Sequence, residues 1–132
     1  MASDRARARA FLEGFFSFAR MSDEKGICLL RDGEVIAATM YYNWNGSNIW
    51  MHTACRPGRR SLTRDYIRWC FHYPFVQLNA NRVSAWVHAN NLASRRFVEH
   101  LGFEHEATLE GAGQDGVDAL VYRLFRDQCR YV

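Results

Sequence analysis

Apolar positions change their period several times along the 132 residues, and each change marks an element. Between Ser3 and Arg20, Phe11, Phe15 and Phe18 recur with Leu12, Phe16 and Ala19 at helical spacing, and Ser3 is placed to cap the helix they predict. Gly26 to Arg31 and Glu34 to Asn43 read as strands joined at Asp32-Gly33, a strong hairpin turn signal. Asn45-Gly46-Ser47 predicts a second turn and Asn48 to Cys55 a third strand, so the three form an antiparallel meander. Pro57-Gly58 breaks the pattern. Ser61 or Thr63 then opens a helix to about His72, with Leu62, Tyr66, Trp69 or Cys70, and Tyr73 on one face, and Pro74 is expected to end it. Arg82 to Ala89 alternates as a strand with Val83, Ala85 and Val87 on one side. Asn91 to Leu101 is a short helix stopped by Gly102, where a terminal glycine belongs. Glu104 to Glu110 and Asp118 to Phe125 close the chain as two strands across the turn Gly111-Ala112-Gly113-Gln114-Asp115-Gly116.

This order predicts an α+β (mixed α/β) fold: a mostly antiparallel central sheet, one strand–helix–strand crossover in its middle, and helices on both faces. The crossover makes its two strands parallel neighbours. Where such neighbours splay, a narrow ligand can enter edge-on beside a helix start, whose free N–H groups and positive dipole end suit a pyrophosphate. No repeat, low-complexity tract or linker interrupts residues 1–132, which read as a single domain.

Composition narrows the function classes. With 48% hydrophobic and 14% aromatic residues, the chain lies outside the disordered range. No run approaches the roughly 18 to 20 apolar residues of a membrane span. The basic start at Arg5, Arg7 and Arg9 precedes a stretch broken by Glu13, Gly14 and Ser17, which reads poorly as a secretory signal, so a cytoplasmic protein without membrane association is expected. Cys28, Cys55, Cys70 and Cys129 form no CxxC pair and lie near no histidine at zinc-ligand spacing, so buried free thiols and no metal are expected. Sixteen of the seventeen basic residues are arginine, yet the net charge is only +3, too little for a nucleic-acid footprint. The arginines cluster between positions 56 and 68 instead.

Asn91-Leu92-Ala93-Ser94, followed by Val98-Glu99-His100-Leu101-Gly102-Phe103, resembles the N-x-x-S…LGF signature of the GNAT acetyltransferase superfamily, in particular the branch that acetylates ribosomal-protein N-termini (alanine or serine). Tyr73-Pro74-Phe75, Leu78 and Asn81-Arg82-Val83 upstream are similar to that branch, as are Glu106, Gly116, Asp118, Tyr122, Leu124 and Arg126 downstream. The likeness covers roughly residues 50 to 130; the first fifty fit by topology, with one helix where two helices and a leading strand are common.

The resemblance implies an N-acetyltransferase that takes acetyl-CoA as cosubstrate, with no metal, and passes its acetyl group to a primary amine by direct attack on the thioester. Backbone N–H groups somewhere in Met51, His52, Thr53, Ala54 and Cys55 would hold the carbonyl, and Asn91 would meet the pantetheine arm. Ser94 matches the position that protonates the departing thiolate; the tyrosine acid of other members falls at Val98. In the phosphate loop, Arg56-Pro57-Gly58-Arg59-Arg60-Ser61 stands in the register of [QR]-x-x-G-x-[GA], with Arg59 replacing the first glycine and Gly58 one place early. Either the loop has shifted, and Arg56, Arg59, Arg60 or Arg64 supplies charged contacts, or the chain is a catalytically inactive binding or structural module of a larger assembly.

The general base is open among His52, Glu110, Asp115 and Glu106 acting through water, and solvent itself. Each of these residues also has an ordinary structural reading: Asn91 as a helix cap, Ser94 as a small surface residue, His52 as a rim histidine. A trimmed acceptor cleft admits a protein terminus or lysine, or is completed by a second copy in a homodimer through Trp44, Trp50 and the first-helix phenylalanines.

Overall fold

The computed structural model describes residues 2–13, 24–56 and 62–132. Its strands form one seven-stranded sheet in the order β1-β2-β3-β4-β5-β7-β6. They are β1 (Ala2–Ser3), β2 (Lys25–Arg31), β3 (Glu34–Tyr42), β4 (Asn48–Cys55), β5 (Arg82–His88), β6 (Glu104–Leu109) and β7 (Ala119–Phe125). The helices are α1 (Arg5–Glu13), α2 (Arg64–His72) and α3 (Leu92–Leu101). Every described strand pair is antiparallel except β4 with β5, so the expected α+β class and central parallel pair are observed.

Local chemistry sets several boundaries. Asp32 and Gly33 both take positive φ, 53° and 81°, which matches the twist of the β2–β3 hairpin. Asn45 folds its Oδ1 back onto the N–H groups of Ser47 and Asn48 and starts β4. Gly102 holds φ 106° and donates to the Glu99 carbonyl, closing α3 as expected.

Two expectations need correction, and a third falls on residues outside those described. Asp4, not Ser3, caps α1: its Oδ1 accepts from Arg7 N–H at 2.9 Å, while Ala2–Ser3 pairs with Ile27 and Cys28 as a short leading strand. The helical reading beyond residue 13, with Phe15, Phe16, Phe18 and Ala19, lies outside the described residues. Pro74 does not end the crossover helix, which runs on as a π-helical turn over Tyr73–Gln77 closed by Leu78 N–H on the Tyr73 carbonyl. Proline cannot donate to the carbonyl four residues back, that of Cys70, and the buried Tyr41 hydroxyl donates to it instead.

α2 and α3 cover one face of the sheet over the larger core, which includes Tyr41, Ile49, Tyr66, Phe71, Phe75, Val83, Leu101, Phe103, Tyr122 and Leu124. Trp44, expected on an exposed contact surface, is half-buried against this core, and Trp69 of α2 is turned out to 52% exposure, leaving Tyr66, Cys70 and Phe71 as the buried face. α1 covers β2 and β3 on the other face over a smaller cluster of Ala8, Leu12, Cys28, Ala38 and Met40. The four cysteines are free thiols; Cys28, Cys70 and Cys129 are buried as expected, whereas Cys55, at the end of β4, is only half-buried. At the sheet's margins lie the two-residue β1 and the exposed β6, which carries a bulge between His105 and Ala107.

α1 approaches so closely that a Cβ on Gly26 would lie 2.5 Å from Ala8 Cβ and 2.9 Å from Met40 Sδ. Gly26→Ala is therefore expected to lift the helix from the sheet and to destabilise the protein by about 1–3 kcal/mol, read as a lower urea midpoint with an unchanged slope.

Candidate functional site

The parallel seam between β4 and β5 is three residue pairs long: Asn48 with Arg82, Ile49 with Val83, and Trp50 with Ser84. Beyond it, β4 stays on β3 as far as Cys55, and β5 stays on β7 as far as His88. The two strands therefore part into a V that opens at their C-terminal ends. Arg56 N–H on Ile36 O and Ala89 N–H on Asp118 O fix the phase of the two flanking ladders. By strand alternation, Thr53 and Cys55 then turn their backbone N–H groups into the V from one side, and Trp86 turns its own from the other.

The closed end is pinned by side chains. Ser84 Oγ donates to Asn48 Oδ1 at 2.6 Å and accepts from Arg82, whose Nη1 and Nη2 grip both oxygens of Glu106 at 2.9 and 3.0 Å. Arg123 joins Glu106 to Glu104 at 3.4 and 3.0 Å. The Arg82 hydrogen bonds, with the charge of both arginines, hold the Glu106 carboxyl below its ordinary range. Glu106, one of the sequence candidates for the base, is thus committed to arginine.

The open end carries a histidine–tyrosine pair. His52 stacks on Tyr42 with ring centroids 5.2 Å apart, and its Nε2 lies 2.6 Å from the Tyr42 hydroxyl. Burial, then the neighbouring His88, lowers the His52 pKa to about 4, while burial raises that of Tyr42. Both are therefore neutral at pH 7 and share one hydrogen bond, whose direction follows the imidazole tautomer. His88 ends β5, and its Nε2 accepts from Gln114 N–H of the β6–β7 turn at 3.1 Å.

The other sequence candidates distribute as follows. Thr53 is half-buried with its hydroxyl 2.9 Å from that of Thr39, and Ala54 packs towards the α1 cluster. The Cys55 thiol is raised by burial. Asn91 caps α3, its Oδ1 accepting from Ser94 N–H at 3.1 Å, so its amide nitrogen is the end left to face a ligand. Ser94 is half-buried in the first turn of α3. Glu110 and Asp115 lie exposed near the turn between β6 and β7. Arg64 opens α2 with its guanidinium 6.0 Å from the Tyr131 ring centre. Arg56 turns away from the V: its Nε donates to Val35 O at 3.0 Å, and its guanidinium lies 5.9 Å from the Phe11 ring centre. Gly58, Arg59, Arg60 and Ser61 lie outside the described residues.

Residues not singled out from sequence also meet here. Tyr42 escaped notice, and His88 has less in the sequence to recommend it than His52, because the partner of each lies on another strand or turn. The signal present was alternation, which puts His88 in phase with Ser84 and Trp86. Among the described residues no group of three or more histidine, cysteine or carboxylate side chains could hold a metal. No helix among them is long and apolar enough to cross a membrane.

This arrangement of sheet, seam and capped helices has known counterparts. The chain belongs to the acetyltransferase (GNAT) domain family, whose sequence model matches residues 2–104. No curated protein matches the sequence. Among solved structures, a putative acetyltransferase superposes with a TM-score of 0.72 at 22% identity over 91% of this chain and 64% of that one. Spermidine N-acetyltransferase from Vibrio cholerae, in complex with CoA and spermine, gives 0.71 at 16% identity over 81% and 68%. An acetyltransferase (GNAT family) from Bacillus anthracis gives 0.65 at 14% identity over 79% and 66%. At these identities the likeness is one of fold, and the chain spans about two thirds of the length of those proteins.

The His52 environment makes stability depend on pH. The unfolded chain takes up a proton at this site near pH 6.5 and the folded chain only near 4, so stability is complete above 6.5 and falls as pH drops between these values. The fall attributable to His52 is expected to reach up to about 3 kcal/mol. Urea titrations at pH 7 and pH 4.5 check this: His52→Gln should flatten the wild-type difference.

Proposed function

We propose that the protein is an acetyl-CoA-dependent N-acetyltransferase that transfers the acetyl group to a primary amine. The observation that carries this reading is the V itself, where β4 and β5 part beyond Trp50 and Ser84 with backbone donors of Thr53 and Cys55 on one side and of Trp86 on the other. A pantetheine arm bears amide groups along a linear chain and can take the place of the missing ladder partner, so the residues fit the cosubstrate. The start of α2 follows directly, and its leading N–H groups suit the pyrophosphate.

In this reading the thioester supplies an activated acetyl group, and the chain provides orientation, polarisation and proton handling. The N–H groups of Thr53 and Cys55 are aimed where carbonyl oxygen gains charge, a role in which such donors typically matter most. The Asn91 amide donates to the arm while its oxygen holds the α3 cap. Ser94, half-buried one turn into α3, returns a proton to the thiolate. Neutral His52, coupled to Tyr42, is the base candidate that lies on the V; Glu110 reaches the reaction only through water or a change in the turn. The acceptor we favour is a protein N-terminus, on the resemblance of the α3 signature.

One observation favours a second reading. The first residue of the phosphate-loop register, Arg56, spends its guanidinium on β3 and Phe11. If the rest of the loop likewise offers no phosphate contact, the chain is a binding or structural module that keeps the family's scaffold.

Acetyl-CoA is expected to raise the melting temperature by a few degrees. Asn91→Ala should raise the acetyl-CoA KM, whereas Ser94→Ala should lower kcat by about 10- to 100-fold with little change in cosubstrate affinity. Titration calorimetry with no heat of binding at millimolar acetyl-CoA would leave the second reading. Steady release of coenzyme A with a peptide amine would remove it.

A further inference from the structure

Thr53, like Met51 before it and Cys55 after it, turns its backbone to the V beyond Trp50, the last β4 residue with a ladder partner on β5, so the parallel seam does not fix its position. On its other side it stands opposite Thr39 of β3 in a pair that exchanges no backbone hydrogen bonds, given the phase set by Arg56 N–H on Ile36 O. The Ala38–Ala54 and Met40–His52 pairs on either side hold the strand to β3, and the Thr53 side chain adds a chain of hydroxyls. Thr53 Oγ1 lies 2.9 Å from Thr39 Oγ1, which lies 2.9 Å from Tyr66 OH and 3.4 Å from Cys70 Sγ. Tyr66 OH donates onward to Ile27 O at 3.4 Å. Thr39 is fully buried and Tyr66 almost so.

The hydroxyl links are undirected, and one donor order that satisfies every group starts from Tyr66 donating to Ile27 O. With Tyr66 donating to Ile27 O, its oxygen accepts from Thr39, and Thr39 accepts from Thr53 and from the Cys70 thiol. Thr53 is then a donor towards the core and keeps only acceptor capacity elsewhere. Tyr66 also belongs to the start of α2: its N–H donates to Thr63 Oγ1, the helix cap, at 3.2 Å. One side chain thus ties the tip of α2 to the stretch of β4 beside the V.

We propose that Thr39 and Tyr66 are positioning residues for the cosubstrate, holding the Thr53 wall of the V and the α2 tip as one unit so that both ends of a long thioester ligand are met together. The inference rests on the acetyltransferase reading of the V and names residues within it that touch neither substrate.

Thr39→Val removes the hydroxyl at nearly constant volume, Thr39→Ser keeps it, and Tyr66→Phe removes the link to α2. In calorimetry and steady-state kinetics on the full chain, corrected for the folded fraction, Thr39→Val and Tyr66→Phe are expected to raise acetyl-CoA Kd and KM by about 5- to 30-fold. The amine KM should stay within about twofold, and Thr39→Ser should remain close to wild type, since the tie it keeps is the one at issue. A role confined to stability would lower the melting temperature without separating the two KM values. Wild-type acetyl-CoA affinity in both Thr39→Val and Tyr66→Phe overturns the proposal, as does a Thr39→Ser defect equal to that of Thr39→Val. Should Thr39→Val not fold, Tyr66→Phe alone decides. Absence of acetyl-CoA binding by the wild-type chain removes the functional reading and this inference with it.

Discussion

The seam between β4 and β5 carries only three residue pairs, and the rest of the site follows from that shortness. β4 is held along its whole length by β3, and β5 by β7. The sheet can therefore open between β4 and β5 without breaking a hydrogen bond in either flanking ladder. The cost is a few backbone groups left without a ladder partner, and these are the groups a strand-like ligand would pair. At the closed end, the Asn48–Ser84–Arg82–Glu106 chain fixes where parting begins.

Charge is divided along the seam. Arg82, Arg123, Glu104 and Glu106 gather at the closed end, where water can reach them. At the open end His52 and Tyr42 are a neutral pair, His52 through burial, and Thr53 and Thr39 add hydroxyls. A ligand entering there displaces water from groups that have little hydration to lose, whereas a bare carboxylate would resist it. The same neutrality explains why the base was hard to find in the sequence. A histidine on an apolar strand carries no mark of its partners, and Tyr42 is ten residues away across a turn.

Features set by their own few residues were legible in advance. Asp32-Gly33 needed positive φ, Asn91 offered a cap, and Gly102 could take a left-handed turn; the coordinates place each as read. Features set by distant partners were not. Pro74 reads as a helix terminator until Tyr41, thirty-odd positions earlier, is seen donating to the carbonyl that proline leaves. Asp4 and Ser3 are both good caps, and the choice fell to Asp4 because Ala2–Ser3 joins β2. Arg56 fitted a phosphate loop by spacing, yet its guanidinium finds a carbonyl on β3 and a ring on α1. The order of elements, and with it the fold, survived these local errors because the hydrophobic periods did not depend on them.

The margins of the sheet bear on assembly. On one side the outermost strand is two residues long; on the other, β6 shows Glu104, His105 and Glu106 to solvent and is kinked by a bulge. Neither presents the flat, uncharged row of amides that recruits a neighbouring chain into a continuous sheet. Among the described residues, the short β1 and the charged, bulged β6 make both borders poor templates for extending the sheet into a neighbouring chain.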